Sequence, residues 1–128
     1  MKKINLNDGT TAYCLKQNEA IVLDDHIQGY LKYGIKINKG DVIIDVGANI
    51  GILGLRLSQS YHDITIHAFE PIPEIHKVLK KNSEISLNPK FNTYMMGISN
   101  VNKKVQFTYY PNSPALSTTQ PDIWKQDK

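Results

Sequence analysis

One cysteine, one tryptophan and three phenylalanines are present among the 128 residues. A lone Cys14 makes no internal disulfide and supplies no cysteine cluster for zinc, and it favours a reducing compartment, so the cytoplasm is the expected location. Long apolar runs are also missing. The run around Val42–Ile44 is a few residues long, far short of the ~20 that a bilayer requires, and no membrane partner is expected. Met1-Lys2-Lys3 opens like a secretory leader, yet Ile4-Asn5-Leu6-Asn7-Asp8-Gly9 holds no apolar stretch to follow it. Neither sign of charge dominates: 15 basic and 12 acidic residues leave +3, too little to argue a nucleic-acid partner. The four histidines, His26, His62, His67 and His76, include no pair at metal-ligand spacing, so no metal is expected.

What is present suits one ordinary domain. Apolar residues make up 41% and charged residues 21%, near the globular norm, and a chain of this size can bury roughly two-thirds of its unfolded surface. From Asp41 to about Gly97, strand and helix signals alternate, the pattern of a parallel α/β sheet. Residues 41–46 are β-branched and apolar on both faces, as a buried central strand would be. Ile50, Leu53, Leu57 and Tyr61 fall at helical spacing, so residues 50–60 read as a helix. Residues 63–69 form the second strand, and Pro73 suits the first turn of the next helix. Ile75, Val78, Leu79, Asn82 and Ile85 make the inner face of that helix, with Lys77, Lys80 and Lys81 in solvent. Residues 92–96 read as a third strand.

Before this core, residues 13–15 suggest a short strand and residues 22–33 a helix with Leu23, Ile27, Tyr30 and Leu31 inward. After it, residues 104–110 suggest another strand, and the Pro/Ser/Thr-rich residues 111–128, with Trp124 among them, read as mostly irregular. The expected organisation is a lead-in segment over 1–40, an α/β core over 41–110 and an irregular tail over 111–128.

The chemistry concentrates in Asp45-Val46-Gly47-Ala48-Asn49-Ile50-Gly51, where the first parallel strand turns into a helix. Glycines there let backbone approach a ligand, and the helix N-terminus offers unpaired N–H groups. Nineteen residues after Gly51, Glu70 stands at the tip of the next strand, where a carboxylate can take both hydroxyls of a ribose. Spacing narrows the ligand. A dinucleotide fingerprint needs Gly-x-Gly-x-x-Gly, whereas Gly47 and Gly51 are four apart with Asn49 between them. A phosphate loop needs Gly-Lys-Ser/Thr, and Ile52 follows Gly51.

Asp-x-Gly-x-Asn-x-Gly is instead similar to motif I of class I S-adenosylmethionine-dependent methyltransferases. With Phe69-Glu70-Pro71-Ile72-Pro73 following, the chain resembles the FkbM family, and Tyr33-Gly34-Ile35, Gly40-Asp41-Val42 and the stretch from Phe107 to Asn112 resemble the form built into polyketide and nonribosomal peptide synthases. The resemblance covers about residues 10–115. It implies a Rossmann-like, mainly parallel sheet, here shortened to the cofactor-binding half, with S-adenosyl-L-methionine as cofactor. Gly47 and Gly51 would pass close to its methionine portion, with Asn49 between them in a left-handed conformation. Asp45 would lie beneath the loop, facing the ammonium. Glu70 would hold the ribose, Pro71 and Ile72 would flank the adenine, and Gly97 and Ile98 would approach its other face. Glu19 would belong to an N-terminal segment covering the site.

The implied activity is O-methylation of a hydroxyl on a polyketide or peptide intermediate, free or carrier-bound. The alternative is a truncated module that binds S-adenosylmethionine or its demethylated product without turnover. A nicotinamide-binding domain is a third reading. No residue emerges as the general base. Bland readings stand beside these: Asp45 bonding loop N–H groups, Glu70 stabilising a helix start, His67 packed on the sheet, His76 solvated and Cys14 a small hydrophobe. A seven-stranded sheet needs more chain than this, so the first strand should keep an open edge for a second copy or a neighbouring domain.

Overall fold

The structure is a computed structural model that describes residues 1–33 and 36–98. The expected strand at 104–110, the stretch from 107 to 112, the tail and Trp124 lie outside the described residues. The elements run β1 (Lys2–Asn5), β2 (Thr11–Cys14), α1 (Gln17–Tyr33), β3 (Val42–Val46), α2 (Ile52–Ser60), β4 (Thr65–Phe69), α3 (Pro73–Ile85) and β5 (Phe91–Tyr94). The strands β3, β4 and β5 pair in that order, all parallel, with α2 and α3 as the crossovers. This is the expected α/β architecture.

Side chains alternate across each strand, so Ile43, Ile66, Ala68 and Phe91 share one face. On that face Ile66 and Ala68 are fully buried in a cluster with Leu57 of α2 and Leu79 of α3. Gly54 explains how α2 comes so close: a Cβ there would stand 2.3 Å from the Phe91 ring. A second cluster joins Leu6, Ala12 and Cys14 of the N-terminal hairpin to Leu23 and Ile27 of α1, Ile52 and Leu55 of α2 and Val78 of α3. Both clusters lean on α2 and α3, so the lead-in segment shares the core of the sheet domain.

Polar groups join these layers as well. Arg56 of α2, only 4% exposed, donates from Nε and Nη2 to both carboxylate oxygens of Asp24 in α1, at 2.8 and 2.7 Å. Its Nη1 and Nη2 also reach Asp8 in the hairpin turn, at 2.6 and 3.1 Å. A buried guanidinium is tolerable when two carboxylates fork around it.

One strand went unforeseen, and two expectations need correction. Strand β1 pairs antiparallel with β2 although Lys2-Lys3-Ile4-Asn5 carries only one apolar side chain; its ladder is satisfied by β2 and its turn by Gly9 at φ 89°. Strand β3, expected to be buried on both faces, has Val42 61% and Ile44 41% exposed, because it is an edge of the described sheet and no described helix lies over that face. His76, expected in solvent, is half-buried with Nε2 enclosed. Boundaries also move: α1 begins five residues early, α2 begins at Ile52, and β4 waits until Thr65 because Asp63 turns the chain at φ 56°.

Candidate functional site

The loop between β3 and α2 is built from left-handed residues. Gly47 has φ 70°, Asn49 φ 55° and Gly51 φ 87°. Asn49 tolerates this conformation because its own Oδ1 accepts the Ile50 N–H at 2.8 Å. At Gly51 two constraints meet: the positive φ, and Leu79 Cδ1 only 2.6 Å from where a Cβ would sit. Leu79 of α3 therefore packs against the loop at Gly51, and a side chain there would have to displace the end of Leu79. The Ala48 N–H donates to the Phe69 carbonyl at 2.9 Å, which ties the loop to the carboxyl end of β4.

Glu70 continues that end and closes the loop. Its Oε1 accepts the Asn49 N–H at 2.9 Å and its Oε2 accepts the Ile72 N–H at 3.2 Å, with the residue 5% exposed. Each oxygen keeps a further lone pair for a ligand hydroxyl. The carboxylate that bonds a loop N–H is thus Glu70, where the bland reading had placed Asp45. Asp45 lies beneath the loop at 3% exposure, and burial first, then the neighbouring Glu70 charge, pushes its carboxyl up to about 7.

The rim at the carboxyl ends of β4 and β5 is apolar and open. Ile72 is 49% exposed beside the exposed Pro71, and a Cβ on Gly97 would stand 3.7 Å from the Pro71 ring. The structure therefore brings together Pro71, Ile72 and Gly97, with Ile98 following and half-buried. Met95 and Met96, both more than half exposed, extend the same rim. Nothing in their sequence distinguishes them from strand residues. Ligands of open α/β sheets collect at such carboxyl ends.

The remaining wall comes from the N-terminus. A cleft of about 50 Å³ is lined by Leu15, Lys16, Glu19 and Ala20 on one side and by Asn49, Ile50 and Ile75 on the other. Glu19 thus lines the cleft across from Asn49 and Ile50 of the loop. Lys16 was not foreseen; a surface lysine before a helix carries no signal of its own. The Lys16 Nζ stands 3.9 Å from the Glu19 carboxylate. Enclosed space of this size holds one or two waters, so a nucleoside would rest on the open rim with only a slender end in the cleft.

No protein-family model matches the chain. Among curated proteins, the 31-O-demethyl-FK506 methyltransferase FkbM of Streptomyces tacrolimicus is 30% identical over 125 residues, which cover 95% of this chain and 48% of that protein. Methyltransferase sdnD of Sordaria araneosa is 36% identical over 83 residues, 62% of this chain and 31% of that protein. A crystal structure of coclaurine N-methyltransferase bound to N-methylheliamine and SAH superposes with a TM-score of 0.45 at 18% identity, over 66% of this chain and 23% of that one. The chain spans less than half the length of the curated relatives it matches. By sequence, it is a homologue of the FkbM-type methyltransferases.

Proposed function

We propose that the chain carries the cofactor site of an S-adenosylmethionine-dependent methyltransferase that methylates a hydroxyl on a natural-product intermediate. The observation that carries this reading is the left-handed loop from Gly47 to Gly51 closed onto Glu70 across two adjacent parallel strands. Likeness to FkbM along 95% of the chain supports it.

The residues fit the cofactor's parts. Glu70 has lone pairs left for ribose hydroxyls, while Pro71, Ile72, Gly97 and Ile98 offer an apolar rest for a flat base. Glu19 supplies negative charge across the cleft from the loop for an ammonium, and Asp45, whose carboxyl is pushed up to about 7, would ionise as that ammonium settles beside it. S-adenosylmethionine, when bound, supplies an electrophilic methyl group whose transfer leaves a neutral thioether. What the chain must do is align the acceptor oxygen, keep water out and hold the loop rigid. No described side chain is placed to remove the hydroxyl proton, so the base is unassigned.

Acceptor and partner belong to the same proposal. A small or carrier-bound acyl or peptidyl alcohol would approach over the carboxyl-end rim, and a second copy or a neighbouring domain would pair with the open edge of β3. No described helix is long and apolar enough to cross a membrane.

Calorimetry with S-adenosylmethionine and S-adenosylhomocysteine, followed by methyl transfer to hydroxylated acyl substrates, tests this reading. Micromolar binding with transfer is expected. Binding without transfer favours the non-catalytic module. Absence of binding to either compound rejects both.

A further inference from the structure

Asn82 is a polar residue in the apolar face of α3, and it is fully buried. Both of its amide protons and its oxygen are engaged. Oδ1 accepts the Tyr13 N–H at 2.7 Å, and Nδ2 donates to the Tyr13 carbonyl at 3.0 Å, so the side chain pairs with β2 as a neighbouring strand would. The second Nδ2 proton goes to the Ile50 carbonyl at 2.6 Å. One side chain thus binds three pieces of backbone: the hairpin strand, the site loop and, through its own Cα, helix α3. An apolar residue of similar size would fill the space but leave three buried backbone groups unpaired.

The two segments that Asn82 joins form the two walls of the cleft. Leu15, Lys16 and Glu19 follow directly on β2, and Asn49 and Ile50 are the loop. Their separation is set at Tyr13 and Ile50, the two positions Asn82 holds. At the cleft Lys16 and Glu19 present one positive and one negative group 3.9 Å apart. That pair complements a zwitterion, the form of a free amino-acid end, with Lys16 toward its carboxylate and Glu19 toward its ammonium.

We propose that Asn82 is a positioning residue of the cofactor site, holding the Lys16–Glu19 segment opposite the loop so that the site selects ligands bearing an amino-acid end over the bare nucleoside. The inference rests on the methyltransferase reading above. Other polar contacts of this region do not substitute for it: Glu70 holds Asn49 from the sheet side only, and Arg56 ties the hairpin turn to α1 and α2 away from the loop.

The test compares two ligands by calorimetry on the full chain: S-adenosylhomocysteine, which has the amino-acid end, and 5′-methylthioadenosine, which lacks it. Wild type should prefer the first by at least about tenfold. Asn82→Asp keeps the shape but replaces both Nδ2 donations with a carboxylate oxygen against carbonyls, and should lose about tenfold or more in affinity for S-adenosylhomocysteine. Its affinity for 5′-methylthioadenosine should stay within about threefold of wild type, so the preference collapses. Glu19→Gln and Lys16→Ala, at more exposed positions, should each lower the same preference without disturbing the fold, and they decide the matter if Asn82→Asp does not fold. Equal weakening of both ligands in Asn82→Asp would make the residue merely structural and overturn the proposal, as would an unchanged preference in both exposed variants. A wild type that binds both ligands equally well overturns this inference alone. One that binds neither overturns the methyltransferase reading and this inference with it.

Discussion

At the scale of single residues, two carboxyls beneath one loop have different tasks. Glu70 holds two backbone N–H groups, so Glu70→Ala removes both acceptors and, on the proposed function, the ribose contact. Affinity for S-adenosylhomocysteine should fall by about 1–3 kcal/mol, the scale of a charge-assisted hydrogen bond, and calorimetry on the variant checks it. Asp45 is held near neutral by burial and by the Glu70 charge, with its carboxyl up at about 7. The fold keeps a proton there that the unfolded chain releases near its ordinary value of 3.8. Stability from this group is therefore complete below about pH 4 and drains as pH rises through about 7. Between about pH 5 and about pH 8, wild type should lose on the order of 2 kcal/mol that Asp45→Asn retains. Urea melts of the two proteins at both ends of that range measure the difference; parallel curves would reject it. Of this site, the loop glycines and the place of Glu70 at the next strand's tip were readable from spacing, and the left-handed Asn49 from the family resemblance. The split of labour between Asp45 and Glu70 was not, because both are acids at strand ends and only the folded geometry says which one meets the N–H groups.

At the scale of elements, the clamp around Arg56 and the glycine of α2 decide how helices meet. Asp24 is as buried as Arg56, with side chains 4% and 5% exposed, whereas the Asp8 side chain is 53% exposed. Asp24→Ala leaves a buried guanidinium without its buried carboxylate and should cost about 3–5 kcal/mol; Asp8→Ala, open to water, should cost about 1 kcal/mol or less. Denaturant unfolding of both variants checks the ranking. The Arg56 guanidinium beside Asp8 also holds that carboxyl well below its usual range, so Asp8's share of the clamp is present above about pH 4 and is lost in acid. Gly54→Ala makes a second element-scale test. Helix propensity alone favours alanine by about 1 kcal/mol, but the new methyl would enter the Phe91 ring. Net destabilisation of about 1–3 kcal/mol is expected, read as a lowered Tm, and a stabilised variant would contradict the packing described. Strand β3 was legible as a β-branched apolar run, and helix α3 because its inner-face spacing is strong. The hairpin strand β1 was not: two lysines, one isoleucine and an asparagine have no strand pattern, and what makes them a strand is the neighbour β2.

At the scale of the whole molecule, the sheet has one face on helices and one face open among the described residues. On the open face the Phe69 and Tyr94 rings stack at 4.6 Å, His67 Nδ1 and the Tyr94 hydroxyl are 2.8 Å apart, and Val42 and Ile44 stand exposed on the edge strand. An apolar strand with a free ladder invites pairing. The chain should therefore self-associate with rising concentration in sedimentation velocity, and Val42→Lys with Ile44→Lys should hold it monomeric. A clean wild-type monomer across the range would refute this. Strand β3 is an edge among the described residues, and the exposure of Val42 and Ile44 there was not legible in the sequence, since a β-branched run reads as buried whether or not anything covers it.

The bond pair between Tyr13 and Asn82 spans 69 positions of chain. A ribosome adding ~5–20 residues per second leaves Tyr13 waiting several seconds before its partner exists. Through that interval β2 has the hairpin and its apolar contacts with α1 and α2, but not the bond pair that sets it against the loop. The cleft is thus a late product of synthesis: the wall that carries Leu15, Lys16 and Glu19 has its place assigned by α3, the last helix described.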